Sequence, residues 1–429
     1  MIPLSPSTSR TSGFLAGAYT VALGALPTLL MLTMEGGSAG FYLVILLSLI
    51  LLLMPSASPA LLPGAVRRYA WMGIGMGVML VGVLVSLGVH GIWKGSEVEK
   101  AARLLSMLLI LFAALRVPRR ILGRALLGTL PAVWSAAVII GWLALETGAR
   151  PATQQFNAVT YGDLTLLFGV LSLVSLGLPV TRFTRIEATL KLLTGILGLV
   201  AFLWTQTRGG LLAIPCFLLI GLLVMGRRLG RMKILLGLVL AAGVGIVATH
   251  DGALRDRIDA GVNEYGDCSA DHLADTSVCI RLQLWSAAGH MIREQPVFGV
   301  GGGNRFRQEL ERLAEQGKVS TMVARDFGET HNDLLYFLAT YGVLGGLGLV
   351  LVYLAPALVF LPRLWRGDER SRLHAAAGLS ICVAFAVFGV TEMMLRDMRT
   401  ASFYAAWVAL LLALSEPRRP DQREPSAAS

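Results

Sequence analysis

Residues 333–361 read DLLYFLATYGVLGGLGLVLVYLAPALVFL. After Asp333 the stretch carries no charge, and it exceeds the ~20 helical residues needed to cross ~30 Å of hydrocarbon. It lacks the period-2 alternation of a barrel strand. In hydrocarbon every backbone amide must pair internally, so the stretch is a helix. Its glycines in YGVLGGLG (341–348), with those of GIGMGVMLVG (73–82), suit close helix–helix contact.

Outward from it lie eleven further apolar stretches, at 14–34, 38–54, 69–90, 101–116, 121–147, 161–180, 189–207, 209–226, 231–249, 373–394 and 399–415. The fourth is short. A chain of 429 residues that is 55% hydrophobic and 15% charged belongs to the membrane class. The expected fold is an all-α integral membrane protein of about twelve transmembrane helices. Helices one to nine occupy 1–249, a long polar loop 250–332, helices ten to twelve 333–415, and a tail 416–429. The first span is too long for a signal-peptide core and has no convincing cleavage site, so it is expected to remain in the mature protein.

Basic residues fix the orientation. Counting alternate connections from the N-terminus, twenty-one of the thirty-seven Lys and Arg fall on one side, including Arg116, Arg119, Arg120 and Arg124. The opposite short loops hold seven, and the loop 250–332 holds nine. The positive-inside rule then puts both termini in the cytoplasm and the long loop outside. The net charge of +10 records this topology and not nucleic-acid binding.

Cys216 and Cys382 fall within spans, where they read as small packing residues. Cys268 and Cys279 lie eleven positions apart in the external loop. There a disulfide is expected, with two free thiols as the alternative. No CxxC or HExxH spacing occurs, and no metal site or cofactor is expected.

Two amphipathic helices are legible in the loop. Ile280, Leu284, Trp285, Ala288, Met291 and Ile292 recur at helical spacing, and the helix stops before Pro296. A second starts near Asn304 with Phe306, Leu310 and Leu313 on one face. Between them VFGVGGGNRF matches GxGxxG only superficially, because no strand precedes it. Gly301, Gly302 and Gly303, with Gly299, either let backbone N–H groups approach an anion or sugar or form a hinge.

Arg208 interrupts an apolar run within TQTRGG and has two readings, a headgroup anchor or a ligand contact. Thr205, Gln206 and Thr207 beside it supply polar donors. Arg281 opens the first loop helix, as a solvated face or as a ligand group. Arg150, in ETGARPATQQFN with Gln154, lies on another external connection. A planar guanidinium suits a pyrophosphate better than lysine does. His331 sits where the loop enters span ten, ahead of Asn332 and Asp333. It reads as a member of a helix-start cap or as a general base whose pKa nearby arginines depress. Asn332 and Asp333 are assigned to orienting the ring, by adjacency alone.

TQTRGGLLAIP (205–215), RLQLW (281–285), PVFGVGGGNRF (296–306) and THNDLLYFLATYGVLG (330–345) resemble the bacterial O-antigen ligase family, which is related to O-antigen polymerases. By that pattern Arg208, Arg281 and His331 match the ligases' essential residues, with Arg150 at a further diphosphate contact. The resemblance implies a glycosyltransferase of the C-type membrane fold class, in the bacterial inner membrane with its site facing the periplasm. It would transfer O-antigen from undecaprenyl pyrophosphate to lipid A–core oligosaccharide, without metal and with inversion. Three rivals stand beside it, one of them a protein O-oligosaccharyltransferase. A polymerase uses the same donor but often has two sizeable external loops, and a transporter of lipid-linked glycan needs polar groups in its spans.

Overall fold

The structure is a computed structural model that describes residues 6–54, 61–147, 151, 153–224, 264–266, 268 and 273–417. Among these the regular elements are helices and no strand occurs. The N-terminal half runs α1 (Pro6–Leu32), α2 (Gly36–Leu53), α3 (Leu61–Val89), α4 (Gly95–Leu105), α5 (Met107–Ala114), α6 (Arg119–Leu122), α7 (Thr129–Thr147), α8 (Ala158–Val174), α9 (Thr184–Trp204) and α10 (Ala213–Val224). There follow α11 (Ser277–Glu294), α12 (Gly303–Glu315), α13 (Thr321–Asp326), α14 (Asp333–Arg363), α15 (Glu369–Phe388) and α16 (Met398–Leu414).

Eight of the described helices are long and apolar enough to cross a membrane, and two shorter apolar helices, Gly209–Val224 and Met398–Leu414, accompany them. The chain is a multi-pass membrane protein. Phe14, Leu53, Ile74, Val138, Leu145 and Ile186 point outward, strongly exposed, an apolar surface that water would not tolerate and lipid accepts. The twelve expected spans are not all present as such. The stretch 231–249 and most of the tail 416–429 lie outside the described residues. The fourth stretch is broken at Ser106, because the preceding turns carry Glu97, Lys100 and Arg103 and fold as a separate amphipathic helix. The eleventh, read as 373–394, stops as a helix at Phe388; residues 389–397 form a polar connection.

The centre is built from α8, α15 and α16. Every residue of α16 from Thr400 onward is buried, and Trp407 donates to the Leu23 carbonyl at 3.0 Å. Around this centre the glycine faces meet as their spacing predicts. A Cβ on Gly82 would lie 2.8 Å from the Gly345 nitrogen, and one on Gly198 would lie 2.9 Å from the Gly169 Cα. Such contacts let α3 approach α14, and α9 approach α8, at backbone distance.

The two ends of the bundle differ chemically. At one end Arg68, Arg119 and Arg363 converge on Glu416. At the other end lie Arg103, Arg396 and Arg399 together with the loop helices α11 to α13.

Helix α14 is broken near this second end. Gly342 has φ 69° and ψ −163°, a conformation that needs glycine. The break frees two carbonyls and an amide that pair with the 296–301 segment: Val300 N–H donates to Ala339 O at 2.9 Å, Gly301 N–H to Thr340 O at 3.0 Å, and Val343 N–H to Pro296 O at 3.0 Å. Gly299 and Gly301 are left-handed (φ 65° and 90°), and the Gly299 carbonyl contacts His90 Nε2 at 2.7 Å. This half of the glycine run is therefore neither a hinge nor an open anion nest. The Gly301 N–H is spent on the broken helix. Gly302 caps α12, which begins at Gly303, one residue ahead of the expected Asn304.

Candidate active site

Three chain segments that are distant in sequence meet around one carboxylate. Glu392, in the 389–397 connection, is 2% exposed. Its Oε2 lies 3.4 Å from His331 Nδ1 and accepts from Asn157 Nδ2 at 3.0 Å. Its Oε1 lies 3.8 Å from an Arg281 terminal nitrogen. A second carboxylate, Glu329, stands 3.7 Å from His331 Nδ1 and pairs with Arg396. Phe327 packs edge-on to the imidazole, with ring centroids 5.6 Å apart.

Each partner is placed by an ordinary local rule. Asn157 is the N-cap of α8; its Oδ1 accepts from the Thr160 N–H at 2.8 Å, leaving the amide nitrogen for Glu392. Thr276 caps α11 and so aims Arg281, one turn in, at the carboxylate. Trp285 on the same helix donates to the Thr330 carbonyl at 3.1 Å, which ties α11 to the His331 turn. The stripe read from the sequence buries Leu284, Ala288 and Met291, and the polar Gln283 beside it is buried as well. Gln283 is held by the Ala274 carbonyl and the Ser320 N–H.

Asn332 and Asp333 do not orient the ring by touching it. Asn332 caps α14 through the Leu335 N–H at 2.9 Å and donates to the Val390 carbonyl at 3.0 Å. Asp333 accepts from Tyr353 at 2.7 Å and from the Met394 and Leu395 N–H groups at 3.1 Å and 3.2 Å. Together they staple the 389–395 connection to the start of α14, and that staple carries Glu392 to His331.

Arg208 stands at the start of a 3-10 turn, Gly209–Leu212, behind the polar run Thr205–Gln206–Thr207. A Cβ on Gly209 would collide with the Thr391 hydroxyl, so this turn packs directly on the neighbour of Glu392. Gln154 is exposed near the start of α8. Arg150 lies outside the described residues. Among the described residues, the non-glycine positions with left-handed backbone are Gln206 (φ 51°) and His331 (φ 49°). Each costs on the order of 1–3 kcal/mol, and such strain concentrates at functional sites.

The electrostatics overturn one expectation. Burial by itself lowers the His331 pKa, but the Glu392 contact and charge, and then the Glu329 charge, outweigh it, while Arg281 pulls downward; the net direction is up from 6.5. Arg281 does not prevail because two carboxylates, 3.4 Å and 3.7 Å from Nδ1, oppose it. Burial likewise raises the Glu392 pKa, yet His331, Asn157 and Arg281 together hold it below the ordinary value, so it is an anion. Around it the donor Arg281 Nε is buried without a well-aligned hydrogen bond, whereas His331 Nδ1 faces the two carboxylates. A buried donor of this kind marks a place built to receive acceptor oxygens.

Among the described residues no three His, Cys, Asp or Glu side chains are grouped to hold a metal ion. Cys268 and Cys279 are bonded to each other, with Cα atoms 5.4 Å apart, and Cys279 lies in the first turn of α11. Sequence reasoning missed Glu392, Glu329 and Asn157. The N-cap signal for Asn157 was present in the residue type ahead of an apolar run. Glu329 stands immediately before the THNDLLYFLATYGVLG segment (330–345). Glu392 was assigned to a span that in fact ends before it.

A protein of Haemophilus influenzae described as uncharacterized is 24% identical over 324 residues, covering 72% of this chain and 77% of its own length. Residues 193–350 match the family model described as O-antigen ligase, and that segment contains Arg208, Arg281 and His331. Through this segment the chain is similar to the O-antigen ligase family.

Proposed function

We propose that this protein is an O-antigen ligase of the bacterial inner membrane, with the Glu392 end of the bundle facing the periplasm. It transfers a glycan from undecaprenyl pyrophosphate to a hydroxyl of lipid A–core oligosaccharide. The observation that carries the reading is the convergence of Arg281 and His331 on buried Glu392, with the Arg208 turn packed beside it.

In the reaction the acceptor hydroxyl oxygen forms a bond to the donor's anomeric carbon as the bond from that carbon to the pyrophosphate oxygen breaks. His331 takes the hydroxyl proton. Carboxylates beside Nδ1 hold a proton there, which makes Nε2 the basic nitrogen, and they stabilise the imidazolium as it forms. The undecaprenyl pyrophosphate leaves with its charge met by Arg208 and Arg281, whose planar donors match phosphate oxygens. Attack from the face opposite the leaving group inverts the anomeric centre. Arg150 and Gln154 belong to the adjoining external connection and are assigned to the donor's diphosphate and glycan. The chain's own charge supplies what a divalent cation supplies elsewhere, so the reaction proceeds without metal.

The test is reconstitution of the purified protein with lipid-linked glycan and lipid A–core in the presence of a chelator. Product on the core supports ligation. A ladder of longer glycan on undecaprenyl pyrophosphate instead makes the protein a polymerase, and no covalent product with glycan movement across the bilayer makes it a transporter.

A further inference from the structure

A cavity of about 540 Å³ opens at the opposite end of the bundle from His331. The 20 residues of α15 separate the two sites, and a helix of that length spans ~30 Å. Three separate elements converge on the cavity. Arg119, Arg120 and Arg124 come from α6 and the 3-10 turn after it, Arg182 from the 178–182 turn, and Arg370 from the start of α15. Among the described residues Asp368 is the only carboxylate in the lining.

Positive charge at span ends is ordinary topology, but topology does not require a concave site with a fixed wall. Here the wall is built. Glu187 accepts from the Val180 and Thr181 N–H groups at 3.1 Å and 2.7 Å, and Lys191 donates to the Ser175 and Leu178 carbonyls at 2.9 Å each. This buried pair fixes the 178–182 turn, while Arg119 is tied to the Glu416 carbonyl. At the bottom His374 is 8% exposed, and its Nδ1 lies buried without a well-aligned hydrogen bond.

We infer that this cavity binds the phosphate-bearing headgroup of an anionic lipid. Arginine forks are suited to phosphate oxygens, the buried imidazole nitrogen offers a further polar contact, and basic pockets between helix ends accept such headgroups. The cavity lies where spans end, so a headgroup reaches it while its acyl chains stay against the exposed faces of the bundle.

The test is native mass spectrometry of the purified full chain with added cardiolipin, phosphatidylcholine or inorganic pyrophosphate. The wild type should retain cardiolipin in preference to phosphatidylcholine. Arg120→Ala/Arg182→Ala/Arg370→Ala should weaken that retention by about tenfold or more, since each basic group near an anionic surface contributes several-fold. Arg67→Ala/Arg185→Ala/Arg366→Ala removes equal charge at the same end outside the cavity and should change retention little. The lysine version of the cavity triple, which keeps the charge, separates ligand loss from misfolding by falling between wild type and the alanine triple. Equal losses in the cavity and control triples would overturn the inference. So would cardiolipin retention no better than that of phosphatidylcholine, and pyrophosphate binding without any lipid preference would assign the site to a soluble anion instead.

Discussion

Glu392 Oε2 lies 3.4 Å from His331 Nδ1, although the length of α14 and α15 separates the two residues in the chain. The helices run out and back, so their ends return to the same side, and the Asn332 and Asp333 contacts lock the two ends together. The pair sets the protonation behaviour of the base, and five experiments bear on it and on the fold that holds it.

The rate should depend on pH through His331. The ring must be neutral to accept a proton, and its pKa is raised above 6.5, so activity should fall as pH drops through that raised value. Glu392→Gln removes the nearer carboxylate. The acid limb of kcat should move to lower pH while its plateau drops by ~10-fold or more. An acid limb that stays in place in Glu392→Gln would detach the carboxylate from the base.

His331→Ala should abolish detectable ligation, because a well-placed base contributes about 10²–10⁴-fold. Donor binding, measured separately with the lipid-linked glycan, should persist. Turnover within a few-fold of wild type would return His331 to the role of a strained helix-start residue.

Arg208→Lys and Arg281→Lys keep the charge and lose the fork. Each should lower kcat by about 10²-fold, in the range of an oxyanion-stabilising donor. The lysine at 281 would also meet Glu392 as a single point charge. Near-normal turnover in both variants would demote the arginines to anchors.

Gly342→Ala should cost about 3 kcal/mol or more. The backbone there is left-handed, and a Cβ would run into the Val297 carbonyl. Thermal unfolding in detergent is the readout. A wild-type midpoint would mean that the break in α14 is not needed.

Cys268→Ser with Cys279→Ser should lower stability by about 3 kcal/mol, the loop-closure value for a short loop, with retained activity in the folded fraction. Cys279 sits two residues before Arg281, so a loss of activity larger than the loss of folded protein would show that the bond also positions the guanidinium.

What the sequence determined by itself follows from local pattern. Unbroken apolar runs made the chain helical and membrane-embedded, glycine-rich faces marked where α3 meets α14, and a 3.6-residue stripe marked α11 and where it stops. The arginines and the histidine stood out because charge within or beside an apolar run is costly and therefore conspicuous. Hydropathy, however, averages over a window. It ran one stretch on to 394 when the helix ends at Phe388, and so hid Glu392 inside an apparent span. Only the tertiary structure decided that this carboxylate sits beside His331, that it outweighs Arg281 in setting the ring's pKa, and that the Val300 and Gly301 amides serve the break in α14. Those outcomes depend on distances of 3–4 Å between segments brought together by antiparallel helices. Coulomb energy and hydrogen bonding change steeply over such distances, whereas local sequence spacing carries no measure of them.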